Sequence, residues 1–181
     1  MAKKDSHVII AYYPGADKAD MAADQIKAWD KATDSIKLGG MGILTWQEGK
    51  IHTRKVGTRG TKTGSKWGLA LGAATGILSG GVTLIGGALV GAAGGAIAGA
   101  LFHKNLGLSD DDKARLEKHL QGGGAALVVM ADEDEVEPTQ AELASLKMGV
   151  KVEDYKVPEE TMSQVEEADD VKPVDEADDG S

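Results

Sequence analysis

Between Gly68 and Phe102 the chain carries no charged side chain, although 27% of all its residues are charged. Within that run Gly68, Gly72, Gly76 and Gly80 recur every four residues, and Gly87, Gly91, Gly95 and Gly99 repeat the pattern after a break. A glycine inside a water-exposed helix costs about 1 kcal/mol relative to alanine, so the two series together cost about 8 kcal/mol unless something offsets them. Four-residue spacing places each series along one side of a helix as a shallow groove. A second backbone can then approach closely and gain dispersion contacts and Cα–H···O bonds. In lipid the cost shrinks further, because unsatisfied backbone groups have no water to turn to.

Length separates one helix from two. A continuous helix from Trp67 to Phe102 would run about 54 Å, against a hydrocarbon core of about 30 Å. A break between Gly80-Gly81 and Gly86-Gly87 instead gives two arms. Each approaches about 28 Å if Lys62, Lys66, His103 and Lys104 snorkel at the ends. The spacing therefore predicts a helical hairpin. Lys50, Arg54, Lys55, Arg59, Lys62 and Lys66 precede the run with no acid after Glu48, and Lys104 follows it. Positive charge at both ends is the pattern of a cytoplasmic membrane face, with Arg54, Lys55, Arg59, Lys62, Lys66 and Lys104 as candidate headgroup or anion contacts and Trp67 and Phe102 as interfacial aromatics. A soluble hairpin packed between subunits would need the same glycines, and the first arm has only Leu69, Leu71, Ile77 and Leu78 as large apolar residues. A flexible linker would not need Leu, Ile and Val at this density.

The net charge of −9 is localised. Residues 159–181 hold ten of the 29 acids and one of the 20 bases, Lys172, so residues 1–158 keep nineteen of each. With Pro158 and Pro173 and few large apolar residues, residues 158–181 are expected to form an acidic, disordered tail that serves solubility. Cysteine is absent, which removes disulfides, thiolate metal sites and cysteine nucleophiles. The opening MAKKDSHVIIAYY lacks the apolar core and cleavage site of a secretory signal, so synthesis without export is expected.

The remaining elements read in order. His7–Tyr13 is β-branched and aromatic and ends at Pro14-Gly15; Ala16–Ala32 places Ala19, Ala22, Ala23, Ile26 and Trp29 at helical spacing. Residues 36–45 and 51–56 read as strands joined through Gln47-Glu48-Gly49-Lys50. Ser109 caps a helix with Asp110, Asp111 and Asp112 in its first turn, which stops at Gly122–Gly124. A buried-type strand follows from Ala125 to Met130, then a short helix from a Thr139–Glu142 capping box to about Lys147, then a strand within 150–157. Setting residues 57–108 aside leaves β-α-β-β-α-β. The predicted fold is α+β, a ferredoxin-like sandwich with an inserted glycine-rich hairpin. The expected divisions are 7–56 and 109–157 for the two parts of the sheet domain, 57–108 for the basic flank and hairpin, and 158–181 for the tail.

The strand-helix start, the Gln47-Glu48-Gly49-Lys50 turn, the glycine repeat, the Gly107-Leu108-Ser109-Asp110-Asp111-Asp112 helix start and the GGGAALVVMADED strand together resemble the bacterial family known as domain of unknown function 1269, predicted membrane proteins. The resemblance covers about residues 7 to 157. It implies membrane association and no assigned chemistry.

No catalytic constellation stands out. The basic, glycine-rich run from Gly57 to Gly68 lacks the Gly-Lys-Ser/Thr order of a phosphate loop, and phospholipid headgroups explain its cations better. Nucleic acid is not an expected partner, because Trp67 alone is aromatic nearby and the acidic tail would compete. His7, His52, His103 and His119 have no ligand spacing, and Asp132–Glu135 lacks the ligand alternation of a calcium loop and reads as a solvated turn. Trp29 and Trp46 read as packing residues. The expectation is a non-enzymatic, homo-oligomeric, membrane-associated protein with no cofactor or metal and its folded domain in the cytoplasm. The alternative is a soluble self-assembling or small-ligand-binding module.

Overall fold

The computed structural model describes residues 6–33, 38–58, 107–149 and 151–159. Five strands and three helices follow in chain order: β1 Ser6–Tyr13, α1 Ala16–Ala32, β2 Gly40–Gln47, β3 Lys50–Thr58, α2 Asp110–Gln121, β4 Ala125–Asp132, α3 Glu133–Ser145 and β5 Lys151–Val157. All strands join one antiparallel sheet in the order β3-β2-β4-β1-β5. The α+β class is as the sequence predicts. The glycine run, most of the basic flank and the acidic tail lie outside the described residues.

The sequence, read with β3 as the third strand of the β-α-β-β-α-β unit, would place β3 between β1 and β2. Here β4 takes that place, pairing with β1 from Ser6↔Asp132 to Tyr13↔Ala125 and with β2 from Met41↔Val129 to Thr45↔Ala125. β3 stays with its hairpin partner at the sheet's edge. The helices divide as well. Ala19, Ala22, Ala23 and Ile26 of α1 and Leu143 of α3 pack with Ile9, Ala11, Tyr13, Ile43, Leu127 and Val129 on one face. Leu116 and Leu120 of α2 pack with Val8, Ile10, Tyr12, Leu44, Val128 and Met130 on the other. A sheet covered on both faces needs strands apolar at odd and even positions alike, and β1 and β4 are buried along nearly their whole length. Trp29 and Trp46 are partly buried against these two cores, one on each side.

Local signals set the element ends. The β2–β3 turn uses Glu48 and Gly49 at φ 51° and 79°, the positive pair that suits a two-residue hairpin. β2 begins at Gly40 rather than near residue 36; residues 34–37 lie outside the described set, and Leu38 donates its N–H to the buried carboxylate of Asp30 at the end of α1 (2.9 Å). α3 begins six residues before the Thr139 box. Asp132 caps it in a reciprocal box with Glu135, whose Oε2 accepts from the Asp132 N–H (3.1 Å), so Glu133–Glu135 form a helical turn and not a loop. Pro138 therefore sits inside the helix and Thr139 is fully buried. At the other end of α2, Gly124 allows close approach: a Cβ there would stand 2.3 Å from Nε2 of His119. That ring nitrogen lies 2.8 Å from the Tyr13 carbonyl and 3.3 Å from that of Ala125, and the ring meets Tyr12 edge-on at 5.3 Å. His119 is thus a part-buried packing residue joining α2 to the starts of β4 and the end of β1, not a surface one.

α2 alone, among the described helices, covers its face, and it does so through two fully buried leucines. Truncating Leu116 to alanine is expected to lower stability by about 2–5 kcal/mol, whereas Met21→Ala on the exposed side of α1 should shift it by no more than about 0.5 kcal/mol. Urea unfolding midpoints at constant slope measure both.

Candidate functional site

Of the residues that the sequence nominates, Arg54 and Lys55 fall on β3; Arg59, Lys62, Lys66, Lys104, Trp67, Phe102 and the eight repeat glycines lie outside the described residues. Arg54 stands opposite Ile43, projects to the α1 side of the sheet and pairs with Asp20 of α1. Its side chain is 57% exposed, so the pair is a surface contact of small energetic weight. What the structure adds is the two points where residues 59–106 join the sheet, and these form the candidate site.

The departure point is the end of β3. Gly42 pairs with Lys55 and Gly40 with Thr58, so β3 carries an extra residue over this stretch, an irregularity that bends a strand end and re-aims the chain leaving it. The return point is Gly107, at φ 78°, pressed against β5: a Cβ on it would lie 2.4 Å from the carbonyl oxygen of Lys156. Leu108 then packs against the α2-side core.

Position along the sheet follows from register. Met41, Val129, Ile9 and Asp154 form one row across β2, β4, β1 and β5. Thr58 pairs one residue beyond that row, and Gly107 sits beside Tyr155 and Lys156, one and two residues beyond it in the same direction. The two points are therefore at the same end of the sheet, hereafter the root end, and on opposite edges, separated by four strand spacings or about 19 Å.

A polar network holds the return point. The Ser109 hydroxyl accepts from the Asp112 N–H (3.2 Å), while Asp112 Oδ2 accepts from the Ser109 N–H (3.0 Å) and hydroxyl (2.6 Å). Arg115 donates to Asp112 Oδ1 (2.5 Å) and across to Glu153 Oε1 of β5 (2.8 Å). Glu153 also accepts from the Tyr155 hydroxyl (3.0 Å) and pairs with Lys151 (2.5 Å). Tyr12 is 4% exposed; its hydroxyl is close enough to Glu153 for the two to interact electrostatically, yet lies outside strict hydrogen-bond geometry.

These contacts shift the acids and phenols in opposite senses. The Ser109 hydroxyl and N–H, with Arg115 behind them, hold the Asp112 carboxyl below its usual range. Burial works against the Glu153 carboxylate, but Lys151, Tyr12, Tyr155 and Arg115 outweigh it and the net direction is also down. Burial, reinforced by Glu153, pushes Tyr155 up to about 12 and Tyr12 higher still; burial alone takes Tyr13 to about 12. The sequence gives the capping half of this network, in Ser109 and the acids after it. The Arg115–Glu153 half joins residues 38 apart in the chain and has no local signature.

Such an arrangement fastens a strand edge to a helix start. It presents no aligned nucleophile and base, and among the described residues no group of three or more histidine or acidic side chains could hold a metal ion.

The family model described as "Protein of unknown function (DUF1269)" matches residues 64–169, more than half of the chain. The matched stretch contains the glycine run, the return point, α2, β4, α3 and β5 but not β1–β3. No curated protein and no solved structure matches the chain.

Two outcomes follow from the geometry. Gly107→Ala is expected to cost about 2 kcal/mol or more, because a positive φ and a backbone clash act together, whereas Gly123→Ala, at φ 88° with nothing within 4 Å of its Cβ, carries the conformational part alone. The difference between their thermal unfolding shifts isolates the contact with Lys156. Tyr12, Tyr13 and Tyr155 are the chain's three tyrosines, and all are raised in the folded state. Their neutral forms stabilise the fold fully below the unfolded phenol value of about 10, and that contribution is lost as pH rises through about 12. The ultraviolet phenolate band should be nearly absent from folded protein at pH 10 and about half developed once the chain is unfolded in denaturant at the same pH.

Proposed function

The chain belongs to the DUF1269 family of proteins of unknown function, and from that premise we propose that it is a non-enzymatic, membrane-associated assembly protein. Its sheet module would lie on the cytoplasmic side and be carried by a glycine-zipper hairpin within residues 59–106.

The observation that carries this reading is the placement of the two roots. Thr58 ends one edge strand of the sheet and Gly107 is pressed against the other edge strand at the same end, so residues 59–106 would start and finish on the same side of any bilayer. One crossing is incompatible with that; a hairpin of two arms is compatible. Among the described residues no helix is long and apolar enough to cross a membrane, and the anchor is assigned to the uncharged glycine run. Its arms, about 28 Å each, suit the hydrocarbon thickness. The glycine faces Gly68–Gly80 and Gly87–Gly99 would pack arm against arm and copy against copy, giving a homo-oligomer. Lys62, Lys66 and Lys104 would meet headgroups, with Trp67 and Phe102 at the interface. No cofactor is needed for these roles.

Membrane fractionation tests the proposal. The protein is expected in the pellet of a high-speed spin, released by detergent and not by high salt; recovery in the supernatant without detergent would favour a soluble module whose hairpin packs between subunits. Gly76→Leu should dissociate the detergent-solubilised oligomer while leaving the unfolding of the sheet module unchanged. An unaltered oligomer mass would remove the glycine face from the assembly.

A further inference from the structure

Resting on the membrane reading above, we infer that the root end of the sheet is the surface that abuts the lipid headgroups, so the module is held upright on the bilayer with its strands along the membrane normal and its turn end outward. Chain length supplies the first bound. Thr58 is four residues from Lys62, and Gly107 is three residues from Lys104. At full extension these spans reach about 14 Å and about 11 Å. Both edges of the root end therefore stay within that distance of cations placed at the headgroups.

Two tethers constrain more than one. A module on a single tether tumbles about it. Here the tethers attach to β3 and β5, the opposite edges of the sheet, about 19 Å apart. Neither edge can swing away from the bilayer without overextending its tether. The β4-centred pairing makes the five strands one body, so the constraint reaches every residue in it.

The remaining freedom is rotation about the line joining the tethers, which would lay one face of the module flat. Among the described residues no apolar patch on either face favours that. Met21 is the one exposed large hydrophobic side chain among the described residues, and its neighbours Asp17, Asp20 and Asp24 on α1 are acidic. A face without an apolar patch gains no transfer energy from the interface. At the root end, Asp111 and Glu133 open α2 and α3 as exposed carboxylates, while Asp110 pairs with Lys113 on its own helix. In chain order the cations Arg59, Lys62, Lys66 and Lys104 lie between the sheet module and the glycine run, opposite in charge to these carboxylates.

The absence of cysteine makes the test direct. Single-cysteine variants at the root end (Asp111→Cys, Glu133→Cys) and at the turn end (Gln47→Cys, Gln121→Cys) of the full-length protein carry a fluorophore. Each is reconstituted into phosphatidylcholine–phosphatidylglycerol vesicles containing a headgroup-quencher lipid. Eight-residue strands separate the two ends by about 26 Å. Labels at 111 and 133 are expected to be quenched several-fold more than labels at 47 and 121. Comparable quenching at both ends in protein that floats with the vesicles would overturn the upright orientation and leave the membrane anchor standing. Failure to float would overturn both.

Discussion

Everything in this molecule depends on β4 lying between β1 and β2. The strand pairs with β1 over eight residues and with β2 over five, and its residues Ala125–Ala131 are buried on both faces. Yet β1 and β2 are complete by residue 47, and β4 does not begin until residue 125. Residues 6–58 cannot close a sheet by themselves, because the gap between their two parallel strands is one strand wide and only a later part of the chain fills it. The glycine segment is consequently enclosed by the fold on both sides. Its flanking residues stand at fixed points, Thr58 through strand pairing and Gly107 through its contact with β5, and that is why its attachment points can be reasoned about from the sheet alone. The same pairing makes the fold rich in contacts distant in sequence, which slows folding relative to locally connected folds.

Fixing the return point takes a second interaction. A helix start beside a sheet edge would fray if only Leu108 held it. Here Asp112 is shared between the Ser109 cap and Arg115, and Arg115 carries the connection on to Glu153 and Tyr155 of β5. The individual ion pairs are partly exposed and each is weak in water. Their value lies in geometry: one guanidinium orients both carboxylates, and Gly107 allows the backbone to reach β5 at a point where any side chain would strike the Lys156 carbonyl. The edge of β5 is thereby occupied at that point, which also limits pairing with another chain's strand there.

Much of this was legible in the residues, and what was not has a physical reason. α1 has the same ends by pattern and by structure, Ala16 and Ala32, because Pro14-Gly15 stops β1 and alanine recurs at helical spacing between charges. The β2–β3 hairpin was legible for a similar reason, since Glu48-Gly49 accepts the two positive φ values. Strand order was not, because the pattern β-α-β-β-α-β is satisfied with either β3 or β4 as its third strand, and the pairing of β4 with both β1 and β2 joins residues far apart in the chain. A trace of it exists in HVIIAYY and AALVVMA, apolar at consecutive positions as strands buried on both faces must be, whereas a two-layer sandwich would leave one side polar. The start of α3 is ambiguous in the residues because two successive capping boxes, Asp132–Glu135 and Thr139–Glu142, stand on either side of Pro138. Burial decided in favour of the earlier one: Glu135, Thr139 and Leu143 lie on one helical face and are all buried, which a helix beginning at Thr139 would not achieve.

The candidate site shows the same division. Gly107, Ser109 and Asp112 are consecutive enough to announce a helix start, but the reason for glycine at 107 is a carbonyl 49 residues later, and the role of Arg115 is set by Glu153 on an edge strand. Periodicity reports what a residue does to its own helix or strand; it is silent on what crosses from one to another. For an inserted segment the crossing contacts matter most, because they determine whether its two ends are independent. A segment joined to two loosely connected elements could send its ends to opposite sides of a bilayer. One joined to opposite edges of a single five-stranded sheet cannot, whatever conformation it takes between them.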